Sequence, residues 1–287
     1  MFRRTRMLLA MVAIACTGFQ VPGATFVEWA DGGSGWYLPA RGERADGEAP
    51  VGVVVVHSVH PKMLATRPLA EGLSRRGVAV LIVELPGFGS KAADDPYGTG
   101  VSAVLQPEVA ARDAAAARGV LLERMGVPEA EREDARVGVM GVSLGTFAAL
   151  AAAIDEPRYD PVILVLGGGP AKQVVLEGER DAAFLRARVM RTGISEAELA
   201  ERVDATDPWH RVGEVRDLGR RVWSAYALHD RVFPNGTPVK LVEHLGVPEA
   251  QRMPLNANHY TAALAWPAVL DWAEGALKGV VVEASDR

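Results

Sequence analysis

The sequence predicts an α/β protein built on a doubly wound, mostly parallel sheet, with helices on both faces and a small helical cap insertion. Three observations carry this expectation. Uninterrupted apolar runs rich in β-branched residues recur along the chain, among them VGVVVV (51–56), VAVLIVEL (78–85), RVGVMG (136–141) and PVILVLGGG (161–169). Such runs mark strands covered on both faces, whereas a strand with one wet face alternates apolar and polar residues. Helix-forming stretches separate the runs, the alternation that produces parallel strands joined by crossover helices. Finally, 287 residues with 49% apolar and 23% charged side chains suit one sizeable folded domain.

In chain order, FVEWADGGSGWYLP (26–39) carries two short β-like pieces around a glycine-rich turn and predicts a hairpin. The polar, turn-rich RGERADGEAP (41–50) is a loop. Between the first two buried strands, TRPLAEGLSRRG (66–77) combines helix formers with a terminal glycine stop. Pro107 opens a helical stretch ending near Gly126, because proline at the first helical position lacks only a donor that would be unpaired anyway. LGTFAALAAAI (144–154) follows the third buried strand as a helix. RRVWSAYAL (220–228) and QRMPL (251–255) supply two further strands, with the helical PVKLVEHLG (238–246) between them. YTAALAWPAVLDWAEGAL (260–277) closes the pattern as a helix that Pro267 starts or kinks.

One block breaks the rhythm. Residues 171–211 contain no strand signal but two helical stretches, VVLEGERDAAFLRARVM and SEAELAERV. The second opens on Ser195 with Glu198 three positions on, a capping-box pattern. A helical pair inserted there covers a binding cleft at the sheet's edge.

The first 24 residues differ from the rest. MFRRTR supplies a positive start, MLLAMVAIAC an apolar core of 10 residues, and TGFQVPGA a small-residue stretch. That is the order of a secretory signal, with a core too short to span a bilayer; an ordinary N-terminal helix is the alternative. Ala13-Ile14-Ala15-Cys16 resembles a bacterial lipoprotein box, so lipid attachment at Cys16 and cleavage near Gly23 or Ala24 both stay open. Either fate places the working domain, residues 25–287, outside the cytoplasm. A net charge of −5 with interspersed signs lacks the basic stripe of a nucleic-acid binder, and the only membrane link expected is a lipid at Cys16. Cys16 is the single cysteine, which excludes an intramolecular disulfide and a cysteine-based metal site.

GVMGVSLGT (138–146) carries the chemistry. It places Ser143 in a G-x-S-x-G pattern between a predicted strand and a predicted helix, the context of a nucleophile elbow. A sharp strand-to-helix turn strains the serine backbone and leaves no room for side chains beside it, so glycines at 141 and 145 are required. The helix that follows points free N–H groups, led by that of Leu144, at the place where an oxyanion would form. A serine hydroxyl is a weak nucleophile at neutral pH and needs a base, itself held by a carboxylate. In such a sheet the partners follow in the order serine, acid, histidine, each on a loop at a strand's C-terminal end.

Of the six histidines, four follow Ser143. His244 falls inside a predicted helix and His210 in the inserted block. His229 ends a strand with no later strand-end carboxylate to support it. His259, in the loop NANH after the last strand, stands where the base belongs. The acid is then Asp230 in HDRVFP, directly after its strand.

These stretches resemble the α/β-hydrolase superfamily over essentially residues 50–277. GVSLG resembles its elbow and HDRVFP its D-x-x-V-P acid loop. ELPGFGSK (84–91) resembles its D-x-R-G-x-G-x-S turn, with Glu84 in the aspartate's place and Pro86 in the arginine's. The branch resembled most is that of small secreted esterases and dienelactone-hydrolase-like enzymes, although dienelactone hydrolases use cysteine where this chain has serine. The resemblance implies a second oxyanion donor in the loop after VGVVVVH, a backbone N–H of Val59 or of Ser58. It departs from the usual His-Gly there, having His57-Ser58-Val59-His60. His57 is expected to hold the loop, and His60 is a substrate-contact candidate.

A metal reading is weaker. His57 and His60 form H-x-x-H, and Asp204, Asp207 and His210 cluster in DATDPWH, but neither matches the H-E-x-x-H spacing of a zinc hydrolase. No metal and no cofactor are expected. The expected activity is acyl transfer to water from a small-molecule carboxylic ester, with Arg and Glu in the insertion pointing to a small or polar one. A prolyl-oligopeptidase-like peptidase or amidase, and a binding protein that keeps the fold without the chemistry, are the alternatives.

Overall fold

The computed structural model describes residues 23–41, 49–59, 65–92, 100–234 and 236–280. The predicted leader up to residue 22, with Cys16, and His60 lie outside these residues. Among the described residues eight strands form one sheet: β1 (Thr25–Trp29), β2 (Gly33–Leu38), β3 (Val51–Val56), β4 (Val78–Val83), β5 (Val137–Val142), β6 (Tyr159–Val165), β7 (Val222–Ala227) and β8 (Arg252–Leu255). Their order is β1-β2-β4-β3-β5-β6-β7-β8. The β1–β2 hairpin is antiparallel and β2 joins β4 antiparallel, while every pairing from β4 to β8 is parallel.

The continuous apolar runs have a direct explanation in this arrangement. Successive side chains of a strand point to opposite faces, and here both faces are covered. Val54, Val56, Leu81, Val139 and Leu164 enter one core with helices α3 (Pro107–Arg124), α4 (Gly145–Asp155) and α8 (Thr237–His244). Val53, Val55, Ile82, Met140 and Ile163 enter the other, against α1 (Thr66–Arg75) and α9 (Trp266–Lys278). Away from exposed strand starts such as Asp160 in β6, these positions cannot be polar without a buried partner.

The insertion departs from expectation. It forms three helices rather than two: α5 (Ala171–Glu177), α6 (Asp181–Met190) and α7 (Glu196–Ala205). The first stretch breaks at Gly178, where a Cβ would lie 2.5 Å from the carbonyl oxygen of Val232, so contact with the loop after β7 ends the helix. At α7 the serine half of the capping box forms, with the Glu198 N–H donating to Ser195 Oγ at 3.2 Å, while the Glu198 carboxylate accepts from Arg202 at 2.7 Å. A short helix without a prior sequence signal, α2 (Val101–Leu105), packs with the insertion, its Val101 and Val104 joining Ala171, Val189, Leu199 and Val203 in a satellite core. β6 ends at Val165 rather than at the glycines, because Leu166 turns with φ 56°. The closing helix is split, a 3-10 turn at Thr261–Ala265 preceding α9.

Candidate active site

Ser143 stands at the turn from β5 into α4 with φ 54°, a left-handed conformation that is strained for a residue with a side chain. The surrounding backbone imposes it. The Ser143 N–H donates to the Val165 carbonyl at 2.8 Å, and its own carbonyl accepts from Thr146 N–H (2.9 Å) and Thr146 Oγ1 (2.6 Å). A Cβ at Gly141 would fall 2.5 Å from the Gly145 carbonyl oxygen, and one at Gly145 would fall 2.2 Å from that of Val56. Both glycines are therefore demanded by close backbone approach. The result is a serine hydroxyl lifted above the C-terminal edge of the parallel strands.

The loops after β7 and β8 reach the same edge. The Asp230 side chain is 1% exposed; its Oδ1 accepts from the N–H groups of Val232 (2.8 Å) and Phe233 (2.9 Å). Its Oδ2 lies 2.7 Å from His259 Nδ1. With that nitrogen donating to the carboxylate, His259 Nε2 is the acceptor, and it stands 3.1 Å from Ser143 Oγ. The base loop is held by Asn258, whose Oδ1 accepts from the N–H groups of Tyr260 and Thr261, both at 3.0 Å. The imidazole itself stacks on Phe233, with 5.7 Å between ring centroids, and Phe233 in turn stacks on Phe147. Three side chains separated by up to 116 positions in sequence thus form one hydrogen-bonded row.

Opposite the row lies the loop after β3. His57 is fully buried; its Nδ1 donates to the Ser58 carbonyl at 2.5 Å and its Nε2 accepts from the Leu85 N–H at 3.1 Å. Burial holds its pKa down to about 4, so it is neutral and ties this loop to the turn after β4. The Ser58 N–H donates to Thr66 Oγ1 at 3.2 Å. That bond engages the Ser58 N–H, while Val59 lines the chamber beside Ser143. On the other side, no described backbone carbonyl outside the helix accepts from the Leu144 N–H, which opens α4.

Glu84, the departure from the superfamily's aspartate, is fully buried and multiply bonded. It accepts from Ser34 Oγ (2.9 Å), Trp36 Nε1 (2.9 Å), Ser90 N–H (3.0 Å) and Ser90 Oγ (2.6 Å). Its longer side chain reaches the β2 hairpin and the turn at once, which accounts for glutamate here. Of the metal candidates, the His57–His60 pair includes a residue outside those described, and the side chains of the DATDPWH cluster are engaged in hydrogen bonds. Asp207 accepts from Ala171 N–H (2.6 Å) and Trp209 N–H (3.0 Å), and His210 reaches Asp204 at 3.3 Å. Among the described residues no group of three or more potential ligands converges.

Sequence reasoning missed the residues that join the insertion to the row. Tyr260 meets His259 edge to face, lies under Arg180 at 5.6 Å and stands beside the Asp181 carboxylate. Burial and the Asp181 charge push its hydroxyl up to about 12, so it remains a donor. Arg180 sits at φ 52°, and its neighbour Glu179 pairs with Arg231, next to Asp230. No local pattern announces these contacts, since they join segments 50 to 80 positions apart.

A small space of about 40 Å³ surrounds Ser143, lined by Val59, Val174, Leu185 and Phe233 among others. A larger cavity of about 280 Å³ lies between the insertion and helices α3 and α4. On α7 the charged residues Glu196, Glu198 and Glu201 face outward while Leu199 and Val203 turn in, and on α6 Asp181 and Arg186 line the chamber at Ser143.

The alpha/beta hydrolase family model matches residues 53–287, and the chain belongs to that family. Similar solved structures include 2,6-dihydroxy-pseudo-oxynicotine hydrolase, with TM-score 0.62 and 18% identity over 92% of this chain and 70% of that one. Acylaminoacyl peptidase of Pyrococcus horikoshii matches with TM-score 0.60 and 14% identity, over 93% of this chain but only 43% of the peptidase. A cold-adapted esterase from an Arctic intertidal metagenomic library matches with TM-score 0.53 and 17% identity, over 88% and 93% of the two chains. At these identities the likeness is one of fold. No curated protein sequence matches the chain.

Proposed function

We propose that the protein is a serine hydrolase that cleaves a carboxylic ester through an acyl-enzyme. The observation that carries this reading is the row from Ser143 Oγ through His259 to Asp230, with its 3.1 and 2.7 Å links. Ser143 Oγ attacks the ester carbonyl as His259 Nε2 takes its proton. Asp230, fixed by two backbone N–H groups, holds the Nδ1–H tautomer and balances the imidazolium charge. The N–H groups of Leu144 and Val59 stabilise the oxyanion. His259 then returns the proton to the leaving alcohol, and water repeats the sequence on the acyl-enzyme.

An amide substrate is the second reading, favoured by the likeness to acylaminoacyl and puromycin-hydrolysing peptidases, of which the chain spans less than half. The charged start and apolar core before residue 24 support export of the protein. Ser143→Ala is expected to lower turnover of p-nitrophenyl esters on the order of 10⁶-fold. Retention of more than a tenth of the activity would remove Ser143 from the chemistry. Aminoacyl p-nitroanilides assayed beside the esters separate the two substrate readings.

A further inference from the structure

We infer that the larger cavity is an acyl-chain subsite, and that the ester this enzyme prefers carries an apolar acyl group of medium length. The inference rests on the proposed serine chemistry and adds the substrate class to it. Its first support is position. Val104, Leu144, Phe147 and Val175 line both the chamber at Ser143 and the larger cavity, so the two adjoin across these side chains. A chain attached to Ser143 Oγ would reach the larger cavity by passing these side chains.

Its second support is shape. Leu144, Ala148, Ala151 and Asp155 recur at helical spacing along α4 and all line the cavity. At 1.5 Å of rise per residue that stripe is about 16 Å long. Ala110 and Ala111 of α3 face the same space. Alanines on two neighbouring helices leave a trough, and the insertion roofs it with Val175 and Val203 rather than filling it.

Its third support is chemistry. The one buried carboxylate on the wall, Asp207, is already bonded to two backbone N–H groups. Arg211, at the outer end, is paired with Asp155 (2.8 Å) and Glu214 (2.9 Å). None of the buried side-chain atoms without a hydrogen-bond partner among the described residues belongs to the wall. Apart from the exposed Glu108 carboxylate, the wall offers a polar acyl group little to replace its lost water, whereas each methylene gains on the order of two- to fourfold in binding. Much of the insertion's charge lies on its outer surface, while Asp181 and Arg186 line the chamber at Ser143 rather than the larger cavity.

The test is a series of p-nitrophenyl esters from acetate to dodecanoate, run on the wild type, Ala151→Phe and Val175→Trp. The octanoate is expected to exceed the butyrate at least tenfold in kcat/KM, and either substitution to cut that advantage below threefold. Val175→Trp fills the space from the insertion and serves if Ala151→Phe fails to fold. Hydrolysis with a flat chain-length profile overturns the subsite and leaves the serine chemistry standing. If no ester is hydrolysed, the ester reading falls instead, and calorimetric titration of octanoate into Ser143→Ala decides the subsite. Saturable uptake that Ala151→Phe weakens tenfold supports it, and no uptake overturns it.

Discussion

The elbow and the insertion meet at Ser143 but are built on different terms. At the elbow, backbone packs against backbone: Gly145 faces the Val56 carbonyl with no room for a methyl group, and Ser143 is pinned by Val165 and Thr146. The insertion is held by a satellite core and by side-chain contacts such as Arg180 over Tyr260 and Glu179 with Arg231. The difference teaches where each kind of information sits. The reacting atom is fixed by a short, local, glycine-marked turn, while the space that would receive the substrate is fixed by tertiary contacts among ordinary residues.

A matched pair of glycine substitutions breaks the comparison if it is wrong. Gly145→Ala forces a methyl group against backbone and is expected to lower unfolding stability by about 3 kcal/mol or more. Gly193→Ala, in the insertion, meets nothing within 4 Å and carries only the strain of φ 95°, about 1 kcal/mol. Urea denaturation of the two variants gives both numbers. Equal losses would mean that the elbow is no more tightly packed than the insertion.

His57 sharpens the contrast through pH. Its folded pKa is lowered to about 4 against an unfolded value near 6.5, so between these values the unfolded chain binds the extra proton. The stabilisation is fully present above about pH 6.5 and is lost as pH falls toward 4, on the order of 3 kcal/mol in all. Denaturation midpoints measured from pH 7 to 4 are expected to fall more steeply for the wild type than for His57→Gln. Parallel profiles would show that the oxyanion-side loop does not depend on this buried imidazole. Ser195→Ala, which removes the α7 cap, has the smallest expected effect, about 1 kcal/mol by the same denaturation measurement.

The same contrast explains what the sequence disclosed. The buried strands were legible because two covered faces leave no polar position, and β3 matches its reading residue for residue. The elbow was legible because its steric demand is met within five residues. Asp230 and His259 were found by their places after β7 and β8, and folding brings them to Ser143. Hidden were the split at Gly178, decided by the Val232 carbonyl, and the engagement of the Ser58 N–H by Thr66 eight residues on. Also hidden was the apolar inner face of the insertion, because its composition is dominated by the residues that face water.

The central claim is that Ser143 is the activated nucleophile and that His259 activates it. Treating the protein with a fluorophosphonate and mapping the adduct by peptide mass spectrometry tests this most directly. The account predicts one adduct, on the peptide containing Ser143, with labelling nearly abolished by His259→Ala. Labelling of another residue, or undiminished labelling of Ser143 after that substitution, would contradict it.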